Sequence, residues 1–300
     1  MPRPRRKAIC PERIAMRKST KTKRVVIAAA ALLAALACFF LWQNNDIVTT
    51  NFTYQSDKVP QAFDGFVVVQ VSDLHNKRFG AGQNILLNKI DALSPNVILV
   101  TGDLVDRRRY ELAPAMEFIE GALQIAPVIY VPGNHEAWSG RYNEVRTALL
   151  DAGVTVLENA SYTFARGDDE LVFLGARDPD FLTQTYAQGT DTSEISAFLS
   201  DWKDESGFKL LLSHRPELFD LYAQNRMDMV FSGHAHGGQI RLPFIGAMYA
   251  PDQGLFPKYT AGRYEQGQTS MLLSRGLGNS LFPFRVFNRP ELVCVTFQAG

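Results

Sequence analysis

Cysteine is scarce in these 300 residues: there are three, and two of them, Cys10 and Cys38, precede the main body. Cys294 stands alone in the rest, so no disulfide can form within the body and a thiolate zinc site is excluded. Histidine is also sparse, with five residues in all. The body lacks a net positive charge as well. The formal net charge is zero, but residues 1–24 carry ten Lys/Arg against one acid, Glu12. The remainder therefore holds 21 basic and 30 acidic residues, a net charge of −9, which argues against a nucleic-acid surface and makes a nuclease a poor reading. No G-x-S-x-G occurs, which removes the serine hydrolases of the nucleophile-elbow type. SRGLGNS at 274–280 is glycine-rich but has no P-loop lysine, and reads as a plain loop ahead of a cleft wall. There is no internal repeat and no low-complexity segment.

Only one long hydrophobic run exists, VVIAAAALLAALACFFLW at 25–42, without a single charge. As a helix it spans roughly 27 Å, about one bilayer core. Ten positive charges precede it, and the next basic residue after it is Lys58. The positive-inside rule then keeps the N-terminus cytoplasmic and places the body outside. The expected organisation is a basic cytoplasmic tail (1–24), a single transmembrane anchor (25–42), a segment at 43–61 that is a linker or a first edge strand, and one α/β domain over 62–300. The localisation that follows is the cell membrane, single-pass. A cleaved signal peptide is the alternative, because ALA at 35–37 resembles a cleavage site. Against it, the apolar run continues to Trp42, where a cleavage region turns polar.

From residue 66 a rhythm sets in. FVVVQVSD, NVILVTGD and PVIYVPGN are buried-strand runs, separated by the helical patterns NILLNKIDAL and APAMEFIEGALQ. Such runs, rich in Val and Ile and alternating with helices, predict parallel strands covered on both faces. VTVLEN, SYTFAR and ELVFLGA follow as close-set strands of a mixed or antiparallel sheet. SEISAFLSDW predicts a helix with Ser193 as cap. Then come strand FKLLLSH, helix PELFDLYAQ, strand MDMVFSGH and two terminal strands in SMLLSRG and ELVCVTF.

The apolar strands end in polar residues of a particular kind: Ser72-Asp73-Leu74-His75, Gly102-Asp103-Leu104-Val105-Asp106-Arg107, Gly133-Asn134-His135-Glu136, Ser213-His214-Arg215 and Gly233-His234-Ala235-His236. In open α/β sheets ligands bind beyond the carboxyl ends of strands. Taken alone, each residue has an ordinary explanation: Asp, Asn and Gly suit turns, and a lone histidine is more often a loop residue than a ligand. The coincidence does not. All five histidines stand at strand ends, together with Asp and Asn. Asp and His donors suit divalent Zn, Mn, Fe or Co. Seven are too many for one tetrahedral ion, and two ions sharing a bridging carboxylate would use them.

The set SDLH, GDLVDR, GNHE, SHRPE and GHAHGGQ resembles the calcineurin-like metallophosphoesterases, over about residues 64–297 and in family order; the layout is most similar to the membrane-associated or exported bacterial type. The resemblance implies an α/β fold with a two-sheet β-sandwich core of βαβαβ units flanked by helices. It implies two divalent metal ions, one held by Asp73, His75, Asp103 and His236, the other by Asp103, Asn134, His214 and His234. It implies that His135, oriented by Asp106, protonates the leaving oxygen, and that Arg107 lies near the phosphate. The substrate would be a phosphate ester or pyrophosphate; tethering points to a lipid-linked or envelope molecule. The competing reading is a non-catalytic metal-binding envelope protein that kept the fold. Arg215 reads equally as a phosphate contact and as a surface charge. The stretch 242–259, apolar and punctuated by Pro and Gly, reads equally as a lipid-docking element and as a packed hairpin.

Overall fold

A computed structural model describes residues 11–183, 189–280 and 282–300; the first ten residues of the basic tail lie outside it. The chain separates into two units, residues 1–42 and 43–300. Helix α1 (Pro11–Asn45) contains, over Thr22–Asn45, a segment long and apolar enough to cross a membrane, with none of its most apolar window buried.

Gln43–Gly300 is an α/β body. Its elements in chain order are β1 (Val48–Ser56), β2 (Val67–Val71), α2 (Asn84–Asp91), β3 (Val97–Thr101), α3 (Ala113–Leu123), β4 (Val128–Val131), α4 (Asn134–Trp138), α5 (Tyr142–Ala152) and β5 (Thr155–Val156). There follow β6 (Ala160–Arg166), β7 (Asp169–Gly175), α6 (Ser193–Trp202), β8 (Lys209–Leu212), α7 (Phe219–Gln224) and β9 (Met229–Ser232). Two short hairpins, β10 (Arg241–Leu242) with β11 (Gly246–Ala247) and β12 (Tyr249–Ala250) with β13 (Gly254–Leu255), precede β14 (Gly262–Gln266), β15 (Thr269–Leu273) and β16 (Glu291–Ala299).

Among the described residues two six-stranded sheets result, ordered β1-β16-β2-β3-β4-β5 and β14-β15-β9-β8-β7-β6. β2 to β5 run parallel, as do β7, β8, β9 and β15. The second sheet carries antiparallel edge pairs, β6 with β7 and β14 with β15, and is therefore mixed, as expected. Side-chain alternation along the strands builds three apolar layers. Val68, Val97 and Leu99 face Phe173, Leu210 and Phe231 between the sheets. Val69, Ile98 and Val100 turn the other way, against Phe118 and Ile119 of α3 and Val145 and Leu149 of α5. On the far face of the second sheet, Leu211 and Val230 meet Ile195 and Leu199 of α6 and Tyr222 of α7. The body is thus the expected α/β, two-sheet sandwich with flanking helices.

One local alternative is decided and one expectation changes. Within 43–61, Val48–Ser56 takes the edge-strand reading, in parallel register with β16 (Val48 opposite Glu291). Ser193 does not cap α6; the carboxylate of Asp191 accepts from the Ser193 N–H at 2.9 Å, and a carboxylate near a helix start also suits the dipole.

Candidate metal centre

The carboxyl ends of β2, β3, β4, β8 and β9 meet at one edge of the sandwich, and all seven proposed donors are buried there. They fall into two groups that share Asp103. On one side His75 Nε2 and His236 Nε2 face each other at 3.0 Å. Asp73 Oδ1 lies 3.4 Å from His236 Nε2, and Asp103 Oδ2 lies 3.5 Å from His75 Nε2. On the other side Asp103 Oδ2 is 3.2 Å from His214 Nε2. Asn134 Oδ1 is 3.1 Å from both His214 Nε2 and His234 Nδ1.

Backbone geometry is spent to achieve this. Asp73, His75, Asp103, His234 and His236 all take left-handed φ, between 47° and 68°. Such conformations cost about 1–3 kcal/mol each and cluster at functional sites. Glycine makes room: a Cβ on Gly233 would stand 1.9 Å from Ser72 Oγ and 2.6 Å from Asp73 Oδ2, and one on Gly102 would meet His214 Nδ1 at 2.7 Å.

The electrostatics call for added positive charge. Burial pushes His75 down to about 3 and, aided by His75 itself and Arg285, holds His236 well below the usual range, so both rings are neutral lone-pair donors. Burial also raises Asp73. Burial opposes charge on Asp103, but the neighbouring imidazoles, His214 first and then His135 and His75, together outweigh it and hold that carboxyl well below its usual value. In turn burial disfavours charge on His214, yet Asp103 and Asp73 draw its pKa up to about 10. His75 Nδ1, though buried, has no hydrogen-bond partner among the described residues. Converging imidazoles, carboxylates and an amide oxygen fit divalent cations.

Outer partners fix the rings. His214 Nδ1 faces Thr101 O at 2.7 Å, which fixes one proton there; the second, held on Nε2 by Asp103, is the one a cation at the site would displace. His234 Nε2 lies 2.8 Å from Asp252 Oδ2, which leaves Nδ1 free to face inward. Glu136 accepts from the N–H groups of Asp103 and Gly133 at 2.8 Å and of Val105 at 3.1 Å, tying the β3 and β4 loops together. Its own pKa is raised to about 8, by burial and then by Asp103.

His135 sits beside the donors. Its N–H donates to Asp103 Oδ1 at 2.8 Å. Its Nδ1 accepts from the Arg107 backbone N–H at 3.2 Å, so the neutral ring carries its proton on Nε2, which faces Ser280 Oγ at 3.2 Å. Burial lowers its pKa. Asp106 is grouped with His75 and His135, but its Oδ1 accepts from the N–H groups of Arg108 and Arg109. The expected orienting bond from Asp106 is thus replaced by the Arg107 N–H. The Arg107 guanidinium lies over the Trp138 ring, 4.4 Å from its centre. Arg107, His135 and Asn134 line a cavity of about 260 Å³ with Tyr249 and Phe282.

Arg215 corrects the surface-charge reading. It is fully buried and pairs with Asp178 (2.7 Å), Asp180, Asp252 and Glu217. Sequence reasoning missed this brace, because Asp178 and Asp252 belong to no strand-end pattern; the pair His234–Asp252 was visible only once the chain was folded.

A sandwich whose strand ends gather buried Asp, Asn and His in this way defines a metal-dependent hydrolase of phosphoric esters. Comparison with known proteins agrees: the model of the calcineurin-like phosphoesterase family matches residues 66–238. An uncharacterized metallophosphoesterase of Bacillus subtilis, YkuE, is 31% identical over 84% of this chain and 86% of its own length. The phosphodiesterase YaeI of Escherichia coli is 27% identical over 76% of this chain and 80% of its own. A bovine transmembrane protein with a metallophosphoesterase domain is 25% identical over 81% of this chain and 55% of its own length. The chain belongs to the calcineurin-like phosphoesterase family.

Proposed function

We propose that this protein is a membrane-anchored phosphoesterase that works with two divalent cations (Mn, Zn, Fe or Co) and hydrolyses a phosphate ester or pyrophosphate bond of a lipid-linked or envelope substrate. Residues 1–24 form its cytoplasmic tail, 25–42 its single membrane span, and the rest its extracytoplasmic body. The observation that carries the dinuclear reading is Asp103 Oδ2, which lies within 3.5 Å of a ring nitrogen on each side. Asp73, His75, Asp103 and His236 would hold one cation; Asp103, Asn134, His214 and His234 the other. When bound, such a pair supplies Lewis acidity toward phosphoryl oxygens and a nucleophile from water at neutral pH.

The chain's own residues do the rest. Arg107, fixed over Trp138, offers a cation to the phosphate as it enters the cavity. His135 turns its Nε2 to the same cavity; protonated to the imidazolium as the anionic phosphate enters, it would give the Nε2 proton to the leaving oxygen and return to the neutral ring, and such general acids contribute about 10²–10⁴-fold. Glu136 keeps the loops that carry Asp103 and His135 in register. The test is hydrolysis of an aryl phosphodiester and a lipid pyrophosphate by the full chain, with Mn²⁺ or chelator, alongside metal analysis. Metal-dependent turnover is expected; an intact chain that binds metal and hydrolyses neither substrate class would leave a binding protein.

A further inference from the structure

The two hairpins after the β9 donors display apolar side chains that a water-facing surface does not call for. Their backbones are anchored: Arg241 N–H donates to Val286 O at 3.0 Å, Met248 N–H to Ile240 O at 3.0 Å, and Phe256 N–H to Met248 O at 3.1 Å. Their tips are not covered. Phe244 is fully exposed (109%), Leu255 70%, Phe256 64% and Ile245 59%. Phe287 borders the same hollow as Phe244, Leu242 and Pro243. Phe244 and Phe256 also take left-handed φ, 67° and 53°, at turn positions where glycine or asparagine costs least. Burying side chains of this size is favourable, so a surface that leaves four in water is built for something that covers them.

The covering phase is indicated by the residues that follow the apolar run in sequence. Gln43, directly after the uncharged run, accepts from Asn288 N–H at 3.2 Å. Asn44 Oδ1 accepts from Arg285 N–H at 2.9 Å and from Asn279 at 3.0 Å. That same segment carries Phe287 and pairs, through Val286 and Ile240, with the start of the β10–β11 hairpin. Residues 240–260 hold one acid, Asp252, which is turned to His234 and Arg215, and two bases, Arg241 and Lys258. The charge therefore favours an anionic lipid surface.

We infer that the β10–β11 and β12–β13 hairpins seat on the lipid bilayer, with Phe244, Ile245, Leu255 and Phe256 below the headgroups. The inference rests on reading α1 as a membrane anchor. Its consequence is positional: Gln239, Tyr249 and Pro251, beside and within these hairpins, wall the cavity that holds Asn134 and His135, so seating brings that cavity to the headgroup plane.

The test uses the full chain in vesicles of phosphatidylcholine and phosphatidylglycerol, with natural or brominated acyl chains. Tryptophan is introduced singly by Phe244→Trp, Phe256→Trp and, as a control on edge strand β6, Tyr162→Trp; the emission of the native tryptophans is subtracted. Rings seated about 5–10 Å into the interface reach the bromines. The emission added by the two hairpin substitutions should shift to shorter wavelength and be largely lost in brominated vesicles, while that of the β6 control stays unchanged. Resistance to alkaline carbonate extraction reads insertion of α1 separately. An inserted chain whose hairpin tryptophans remain water-like and unquenched overturns the inference. So does hairpin emission that is already shifted without lipid in a chain that migrates as a dimer, since the occupant is then a second copy. Quenching in a chain that carbonate extracts keeps the hairpin docking and discards the anchor.

Discussion

The two halves of the donor cluster use the same residue types but are braced differently. On the His214 side each ring has its outer nitrogen against an oxygen acceptor, Thr101 O or Asp252 Oδ2. On the Asp73 side His75 Nδ1 has no hydrogen-bond partner among the described residues, and His236 Nδ1 faces the Arg285 guanidinium at 3.4 Å. The two rings there stack on one another, with centres 4.9 Å apart. Outer acceptors fix tautomer and orientation and raise ligand basicity. The difference teaches that one half is set before any cation arrives, whereas the other takes its final form around one. Stepwise loading, with the His214 side first, is the expected behaviour.

Asp103→Asn should erase the comparison altogether, because this carboxylate faces both halves. Metal per chain should fall close to zero and turnover to background; elemental analysis showing one full equivalent retained would mean the halves do not depend on a common ligand. His135→Ala comes next. Turnover of an aryl phosphodiester should drop about 10²–10⁴-fold with both metals still bound, since its ring stands outside the two donor groups. Loss of metal from this variant would make His135 a ligand and the role given to it wrong.

Asp252→Ala sharpens the contrast. It removes the outer acceptor of His234, and affinity on that side should fall about 10–100-fold, with the Asp73 side unaffected in a Mn²⁺ titration followed calorimetrically. Equal weakening of both steps would contradict separate bracing. The smallest effect is expected from Ser72→Ala. It deletes the 2.6 Å hydrogen bond to Asp73 Oδ2, worth about 1 kcal/mol, so the weaker binding step alone should shift several-fold.

The donors themselves could be read from the sequence because parallel strands deliver their carboxyl ends to one edge, and each apolar run there stops at an unusual polar residue. What surrounds the donors could not. Asp178 and Asp252 reach Arg215 and His234 from loops without any periodic signal. The group that holds His135 is a backbone N–H, which every residue but proline carries, so no residue type at 107 announces it. Arg215 looked like any arginine after a strand; its burial depends on four carboxylates from three separate segments. The pairing of β1 with β16 joins residues more than two hundred positions apart, and a polar strand at an edge has little pattern of its own. The sandwich was legible as an α/β alternation, but its edges were decided by contacts that only the folded chain makes.

Strand β16 lies between β1 and β2, and this has a consequence for folding. β1 can find its neighbour only after Glu291–Ala299 has been made, more than two hundred residues later. Until then the first sheet has an open edge beside Val67–Val71, the kind of unpaired strand that recruits other chains. A chain cut before Glu291 should therefore give an aggregation-prone intermediate rather than a smaller enzyme.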